Sequence, residues 1–386
     1  VQLVDKFVVD YKTDTKDALL KVLRLISPDS SYAFALMDRE QPDTLFVAKN
    51  KSPLLVGLCQ GYNMVGSDAM SMIDETNEFM EINDHELVIV KPDNVTIEEF
   101  DGTEKKRDSF KVDMDPSAAD KGTYPFYMLK EIDEQPAVMR KLVQEYFDGD
   151  DQPQISEKLL QAMAESDHIY IIGAGTSYHA GLIGARMFEK LCGVPTTVHI
   201  SSEFAYEQPL LSQKPFFLFL SQSGETADSR EVLVHVNEHN WPSLTITNVD
   251  KSTLSREATF TLLLYAGPEI AVASTKAYTA QIAVEAILAK ALGEYLSDAA
   301  QNFDLKHQLG TIANGMQSIT DSKEDIEALA SRYLSKPRNA FYIGRGIDWS
   351  VSLEAALKLK EISYVQAEGF ASGELKHGTI ALIENQ

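Results

Sequence analysis

The chain has 386 residues, 44 % hydrophobic and 24 % charged, with a formal net charge of −23, long enough for two or three domains with sizeable cores. So acidic a balance leaves no bulk basic surface for nucleic acid or an anionic membrane, and an anionic ligand needs a local pocket that overrides the global field. Two cysteines, Cys59 and Cys192, exclude a disulfide framework and a CxxC metal or redox site. With no apolar run of transmembrane length and no signal-peptide pattern, the expected class is a cytoplasmic enzyme.

Residues 1–113 read as mostly β after one opening helix, whose amphipathic pattern is Ala18, Leu19, Val22, Leu23, Leu25 and Ile26. Strand-like runs follow at Tyr32–Met37, Leu45–Ala48, Leu54–Leu58, Met64–Ser67, Leu87–Val90 and Val95–Phe100, which predicts a sheet or sandwich. The small, polar, acidic stretch 114–124 reads as an interdomain linker, and a helix pair is expected over about 126–165. From residue 168 strands and helices alternate. Strands are expected at His168–Ile172, Thr197–Ile200, Phe216–Leu220, Ser243–Thr247 and Thr261–Leu264, with helices over Gly181–Leu191, Glu225–His239 and Lys276–Leu292. This is the pattern of an α/β doubly wound parallel sheet. A weak repeat follows, in which Ile169–Ser177 is echoed by Phe341–Asp348, each a strand ending in Gly-x-Gly before a helix. A helix over Ser352–Ile362 and a strand at Ser363–Ala367 complete the second copy as far as the sequence goes.

Three turns carry candidate chemistry. The hexapeptide Ser221-Gln222-Ser223-Gly224-Glu225-Thr226 follows an apolar strand and opens a helix, placing hydroxyls, an amide and free N–H groups where a phosphate or polyol would bind. It contains no lysine, so it is not a Walker-type nucleotide loop. The turn Gly173-Ala174-Gly175-Thr176-Ser177 lacks the third glycine of a dinucleotide fingerprint, because Tyr178 stands there. It is either a tight turn with Thr176 or Ser177 as N-cap, or one wall of a ligand crevice at the strand ends. Val272-Ala273-Ser274 precedes a long helix, and Ser274 reads first as its N-cap. Glu354 and Lys358 stand four residues apart, the spacing of an ordinary exposed ion pair, while Lys358 and Glu361 also share a face and could move protons instead. His377, in a glycine-bounded loop, is either an exposed histidine or an acid–base group. Cys59 and Cys192 read as packing residues.

Taken together, Gly175–Tyr178, Ser221–Thr226, Ala273–Ala277, Ala356–Tyr364 and Gly373–Gly378 resemble the glucosamine-6-phosphate synthases, also called glutamine–fructose-6-phosphate aminotransferases (isomerising). Lys130–Pro136 and Lys49–Leu54 are similar to them as well. The resemblance implies a partial Ntn-type glutaminase domain at 1–113, a linker at 114–124, a first sugar isomerase (SIS) domain with its preceding helices at 125–310 and a partial second SIS domain at 311–386. It implies conversion of fructose 6-phosphate to glucosamine 6-phosphate with nitrogen from glutamine and without cofactor or metal. It assigns Thr176, Ser177, Ser221, Gln222, Ser223, Thr226, Val272 and Ser274 to the sugar phosphate. Glu361 takes proton transfer between C1 and C2, Lys358 the same acid–base cluster, and His377, reaching over from the partner of a homodimer, ring opening. The family's N-terminal cysteine nucleophile has no counterpart at Val1-Gln2-Leu3, and its C-terminal Schiff-base lysine has none after His377. The chain therefore reads as a fragment truncated at both ends, with glutamine a substrate of the complete protein only. A stand-alone phosphosugar isomerase or deglycase and a non-catalytic sugar-phosphate sensor are the alternatives.

Overall fold

A computed structural model describes residues 1–383 except 29, 68, 74, 113–119, 150, 298–299 and 335–338. The chain divides into two compact units, Val1–Asp120 and Lys121–Gln386. Most of the stretch expected as a linker, residues 114–119, lies outside the described residues.

The first unit opens with two helices, α1 (Gln2–Tyr11) and α2 (Thr15–Leu25), where the sequence reading expected one. Val4, Phe7 and Val8 give α1 a short apolar stripe, Lys12 ends it in the left-handed conformation, and Asp14 caps α2 by accepting from Asp17 N at 3.0 Å. Among the described residues nine strands follow: β1 (Tyr32–Asp38), β2 (Gln41–Asn50), β3 (Leu55–Leu58), β4 (Asn63–Gly66), β5 (Glu78–Glu81), β6 (Glu86–Val90), β7 (Val95–Glu99), β8 (Glu104–Lys105) and β9 (Phe110–Lys111). They form two antiparallel sheets, β1-β2-β6-β7-β8 and β4-β3-β5-β9. Alternation along β2 and β6 sends Phe46, Ala48 and Leu87 toward the helices, and Val47 and Val88 into a core with Val56 of the second sheet. Strands β5, β8 and β9 escaped the sequence reading because two are only two residues long and β5 buries Phe79 between glutamates.

In the second unit, α3 (Tyr127–Tyr146) and α4 (Glu157–Ala164) precede a five-stranded parallel sheet. Its elements run β10 (His168–Gly173), α5 (Thr176–Cys192), β11 (Thr196–Ile200), α6 (Ser201–Tyr206), β12 (Pro215–Ser221), α7 (Ala227–Glu238), β13 (Ser243–Thr247), α8 (Thr253–Glu257), β14 (Phe260–Leu263) and α9 (Lys276–Leu296). The order β11-β10-β12-β13-β14 puts the first and third strands side by side, and Gly173 pairs with Leu220. Ile169, Ile171, Phe216 and Leu218 face α3, α5 and α9, while Tyr170, Ile172, Phe217 and Phe219 face α6, α7 and α8. Cover on both faces is why these strands read as continuous apolar runs.

Helices α10 (Leu305–Thr320) and α11 (Lys323–Tyr333) lead to β15 (Asn339–Gly344), α12 (Ile347–Ser363) and β16 (Gln366–Ala371), the last strand parallel to β15. This strand begins three residues later than expected, because α12 runs on to Ser363 before Tyr364 takes the left-handed conformation. Gly175 and Gly346, at φ +52° and +61°, occupy the same place before α5 and α12, so the repeat is a repeat of backbone conformation.

Helix α9 is buried along most of its length and packs closely on α5. At their contact Gly184 has no side chain, and a Cβ there would lie 2.0 Å from Glu285 Oε1. Glu285 is fully buried, and neither of its oxygens has a partner among the described residues. Burial raises its pKa well above the ordinary 4.5, so the folded state keeps this proton to a higher pH than the unfolded state does. Below about 4.5 both states are protonated and the contribution is complete. As pH rises above that value the unfolded chain ionises first, and stability falls by roughly 1.4 kcal/mol per pH unit until the folded carboxyl ionises too. Glu285→Gln should flatten that slope in chemical denaturation between pH 5 and 8. Gly184→Ala should destabilise by about 1–3 kcal/mol through overpacking, and adding Glu285→Ala should recover part of the loss, as read by thermal unfolding.

Candidate active site

Three loops meet the C-terminal edge of the parallel sheet, where open α/β sheets bind ligands beside the point at which strand order reverses. The loops after β10 and β12 follow adjacent strands.

In the loop after β12, Ser221 is buried and its hydroxyl is used internally. Its Oγ lies 2.9 Å from Thr226 Oγ1 and accepts from Gly224 N at 3.0 Å, while Ser223 Oγ accepts from Glu225 N at 3.2 Å. The Gln222 carbonyl is held by Asn248 N at 3.0 Å and by the Thr247 hydroxyl at 3.2 Å. These bonds set the turn's shape. Thr226 is the N-cap residue of α7 by position, yet its own side chain does not cap the helix.

In the loop after β10 neither Thr176 nor Ser177 is the N-cap that the sequence suggested. Gly175 holds that position, and the Thr176 hydroxyl donates to Glu354 Oε1 at 3.0 Å. Ser177, buried in the first turn of α5, accepts from Gln281 Nε2 of α9 at 2.9 Å.

The third loop corrects the sequence reading of Ser274. The N-cap of α9 is Thr275, and the Ser274 hydroxyl donates to Glu269 Oε2 at 2.7 Å. Glu269 Oε1 accepts from Thr275 N at 2.8 Å and Ala277 N at 3.2 Å, so a carboxylate does the capping. Buried Glu131 accepts from Ile270 N and Ala271 N at 2.6 and 3.0 Å, anchoring the loop to α3. The Val272 side chain is fully exposed. An acid six residues before the first amide it caps has no standard capping-box spacing, and for that reason Glu269 went unnoticed in the sequence.

The candidate acid–base residues Lys358 and Glu361 sit on α12. Lys358 Nζ lies 2.7 Å from Glu361, 3.3 Å from Glu354 and 2.9 Å from the Thr176 hydroxyl. Glu354 is only 4 % exposed, which overturns its reading as half of an exposed ion pair. Its second oxygen meets His179 Nδ1 at 2.7 Å. Glu354 and His179 are thus parts of the site that no motif announced. His179 also lines a cleft of about 450 Å³ with Gly175, Tyr178, Leu357, Lys360 and Glu368. Glu361 faces solvent. His377 is exposed and, among the described residues, makes no hydrogen bond to Glu354, Lys358 or Glu361. Cys192 donates to Ala289 O at 3.2 Å and burial pushes its pKa up to about 12, in keeping with a packing role. Among the described residues no three His, Cys, Asp or Glu side chains gather as a metal cluster, and no helix is long and apolar enough to cross a membrane.

The SIS domain profile matches residues 162–291 and 333–386, the two segments that supply these loops and α12. Over its whole length the chain is 64 % identical to the glutamine–fructose-6-phosphate aminotransferase (isomerising) of Lactiplantibacillus plantarum and 59 % identical to that of Streptococcus pneumoniae. The chain belongs to this family. It spans 64 % of the length of those relatives. Among solved structures, the C-terminal domain of the glucosamine–fructose-6-phosphate aminotransferase of Francisella tularensis superposes with a TM-score of 0.61 at 36 % identity. That match covers 69 % of this chain and 75 % of the other.

Glu354 ties the second SIS segment to the first, and a buried carboxylate that loses its charge leaves its partners stranded. Glu354→Gln should therefore loosen α12 specifically. Hydrogen exchange over 347–363 is expected to accelerate, with the strands β10, β12 and β13 staying protected. Equal loss of protection in both regions would show that Glu354 supports the whole unit instead.

Proposed function

We propose that the chain carries the sugar-phosphate-binding and isomerising part of a glutamine-dependent conversion of fructose 6-phosphate to glucosamine 6-phosphate. The observation that carries this reading is the contact of Lys358 with Glu361, Glu354 and Thr176 together, which sets acid–base groups against a turn suited to phosphate. The N-cap residues of α5 and α7, Gly175 and Thr226, place no side-chain cap of their own on these helices, whose N-terminal dipole ends attract an anion. On this reading Thr176, Ser177, Ser221, Gln222, Ser223 and Thr226 form or shape the phosphate side. Val272 and Ser274 form the rim toward the sugar, because Glu269 at the start of α9 would repel a phosphate.

The chemistry suits these groups. Ammonia condensing with the C2 carbonyl of the ketose gives an imine and releases water, and removal of a proton from C1 with protonation of the imine nitrogen gives a 1,2-enolamine. Return of the C1 proton to C2, with loss of the O1 proton, then gives the 2-amino aldose. Glu361 is the base that takes the C1 proton and delivers it at C2, and Lys358 hydrogen-bonds that carboxylate beside the sugar oxygens. His377 opens the ring from a second copy of the chain, in keeping with its exposed loop and its separation from the α12 cluster. The β-rich unit 1–120 belongs, on the same reading, to the glutamine-hydrolysing part, and the protein works in the cytoplasm as a homodimer.

Glu361→Gln should lower isomerisation by at least ~100-fold while leaving sugar-phosphate binding in place. Unchanged turnover would favour a non-catalytic sensor. Mixing Glu361→Gln with His377→Ala chains, each inactive alone, should restore turnover if the histidine crosses between subunits. Mixtures that stay inactive would place His377 within its own subunit's site or outside the chemistry.

A further inference from the structure

Helix α9 carries polar groups that the proposed chemistry does not use. Tyr278, Gln281 and Glu285 stand at i, i+3 and i+7, so they share one stripe. The Tyr278 hydroxyl, Gln281 Oε1 and both Glu285 oxygens have no partner among the described residues. Gln281 is only 1 % exposed, and among the described residues its side chain makes one hydrogen bond, the 2.9 Å donation from Nε2 to Ser177 Oγ. A buried amide oxygen without a partner is destabilising, and an apolar side chain of the same length would remove that cost. An amide retained there needs a reason other than packing.

The reason lies in what Gln281 does to Ser177. A serine hydroxyl has two lone pairs and one proton. The hydroxyls of Ser221, Ser223, Thr226 and Ser274 are engaged within their own loops. Ser223 accepts from Glu225 N within its own turn, whereas Ser177 accepts from a donor on another helix, which fills a lone pair, fixes the side chain from outside the loop and leaves the proton to give. We propose that Gln281 is a positioning residue for the sugar phosphate, fixing the Ser177 rotamer so that this hydroxyl donates to the phosphate oxygens. The inference deepens the function proposed above and rests on it.

A structural role and a positioning role predict opposite outcomes for stability and affinity. Gln281→Met keeps the length and removes the unpaired amide. Its thermal unfolding temperature should equal or exceed that of the unaltered chain, while its dissociation constant for glucosamine 6-phosphate, by calorimetry, should rise about five- to tenfold. Ser177→Ala should weaken binding to a similar degree, and the double variant should bind no worse than Ser177→Ala alone, because the two residues act through one contact. Unaltered affinity in Gln281→Met, or losses that multiply in the double variant, would overturn the proposal. Should Gln281→Met fail to fold, Gln281→Asn stays polar but is too short to reach Ser177, and it must show the same loss of affinity; binding as tight as in the unaltered chain would again overturn it. Failure of the unaltered chain to bind either sugar phosphate would instead overturn the functional reading itself.

Discussion

A single buried carboxylate organises the relation between the two SIS segments. Glu354 touches His179, Thr176 and Lys358, all within 3.3 Å. Removing a carboxylate from water costs several kcal/mol unless such partners replace the lost hydration, so α12 has to dock where all three can be reached. Helix periodicity does the rest. Glu354, Lys358 and Glu361 lie at i, i+4 and i+7, and their side-chain exposures rise from 5 % to 16 % to 28 %. The stripe runs from the protein interior to solvent, and burying its inner end aims its outer end at the crevice.

Carboxylates shape the third loop as well, with a different consequence. Glu131 and Glu269 satisfy the backbone N–H groups ahead of α9 from within the protein. The start of α9 is thereby neutralised, whereas Gly175 and Thr226 place no side-chain cap of their own on α5 and α7. An anion arriving at this edge of the sheet therefore meets two attractive helix ends and one occupied by negative charge. With a net charge of −23 the protein's overall field opposes a phosphate, and a local attraction of this kind offsets it.

The framework was legible in the sequence where physics leaves one solution. Phe216–Leu220 had to be a strand covered on both faces, and Ser221–Thr226 had to be the turn that follows it. What stayed hidden were polar residues whose meaning depends on burial. A Glu–Lys pair at i,i+4 looks the same on an exposed helix and at a domain contact, so Glu354 read as surface. Gln281 and Glu285 sit in a helix that otherwise reads as apolar core, and the glycine that admits Glu285 lies about a hundred residues earlier. Such partnerships are set by tertiary contact and carry no local spacing.

On the proposed function, the two copies of the internal repeat divide binding from chemistry. Gly175 and Gly346 give α5 and α12 the same entry, with nearly the same positive φ. The residues that follow differ: Thr176 and Ser177 in the first copy, Ile347 and Asp348 in the second. Neither isoleucine nor an ionised aspartate offers the hydroxyl donors that Thr176 and Ser177 supply in the first copy. The second copy's turn is thus unsuited to a phosphate although its backbone is the same. What it contributes comes from the middle of α12, where Lys358 reaches back to Thr176 of the first copy. On the proposed function, the turn of the first copy holds the ligand's charge, and the helix after the turn of the second brings the groups that move its protons.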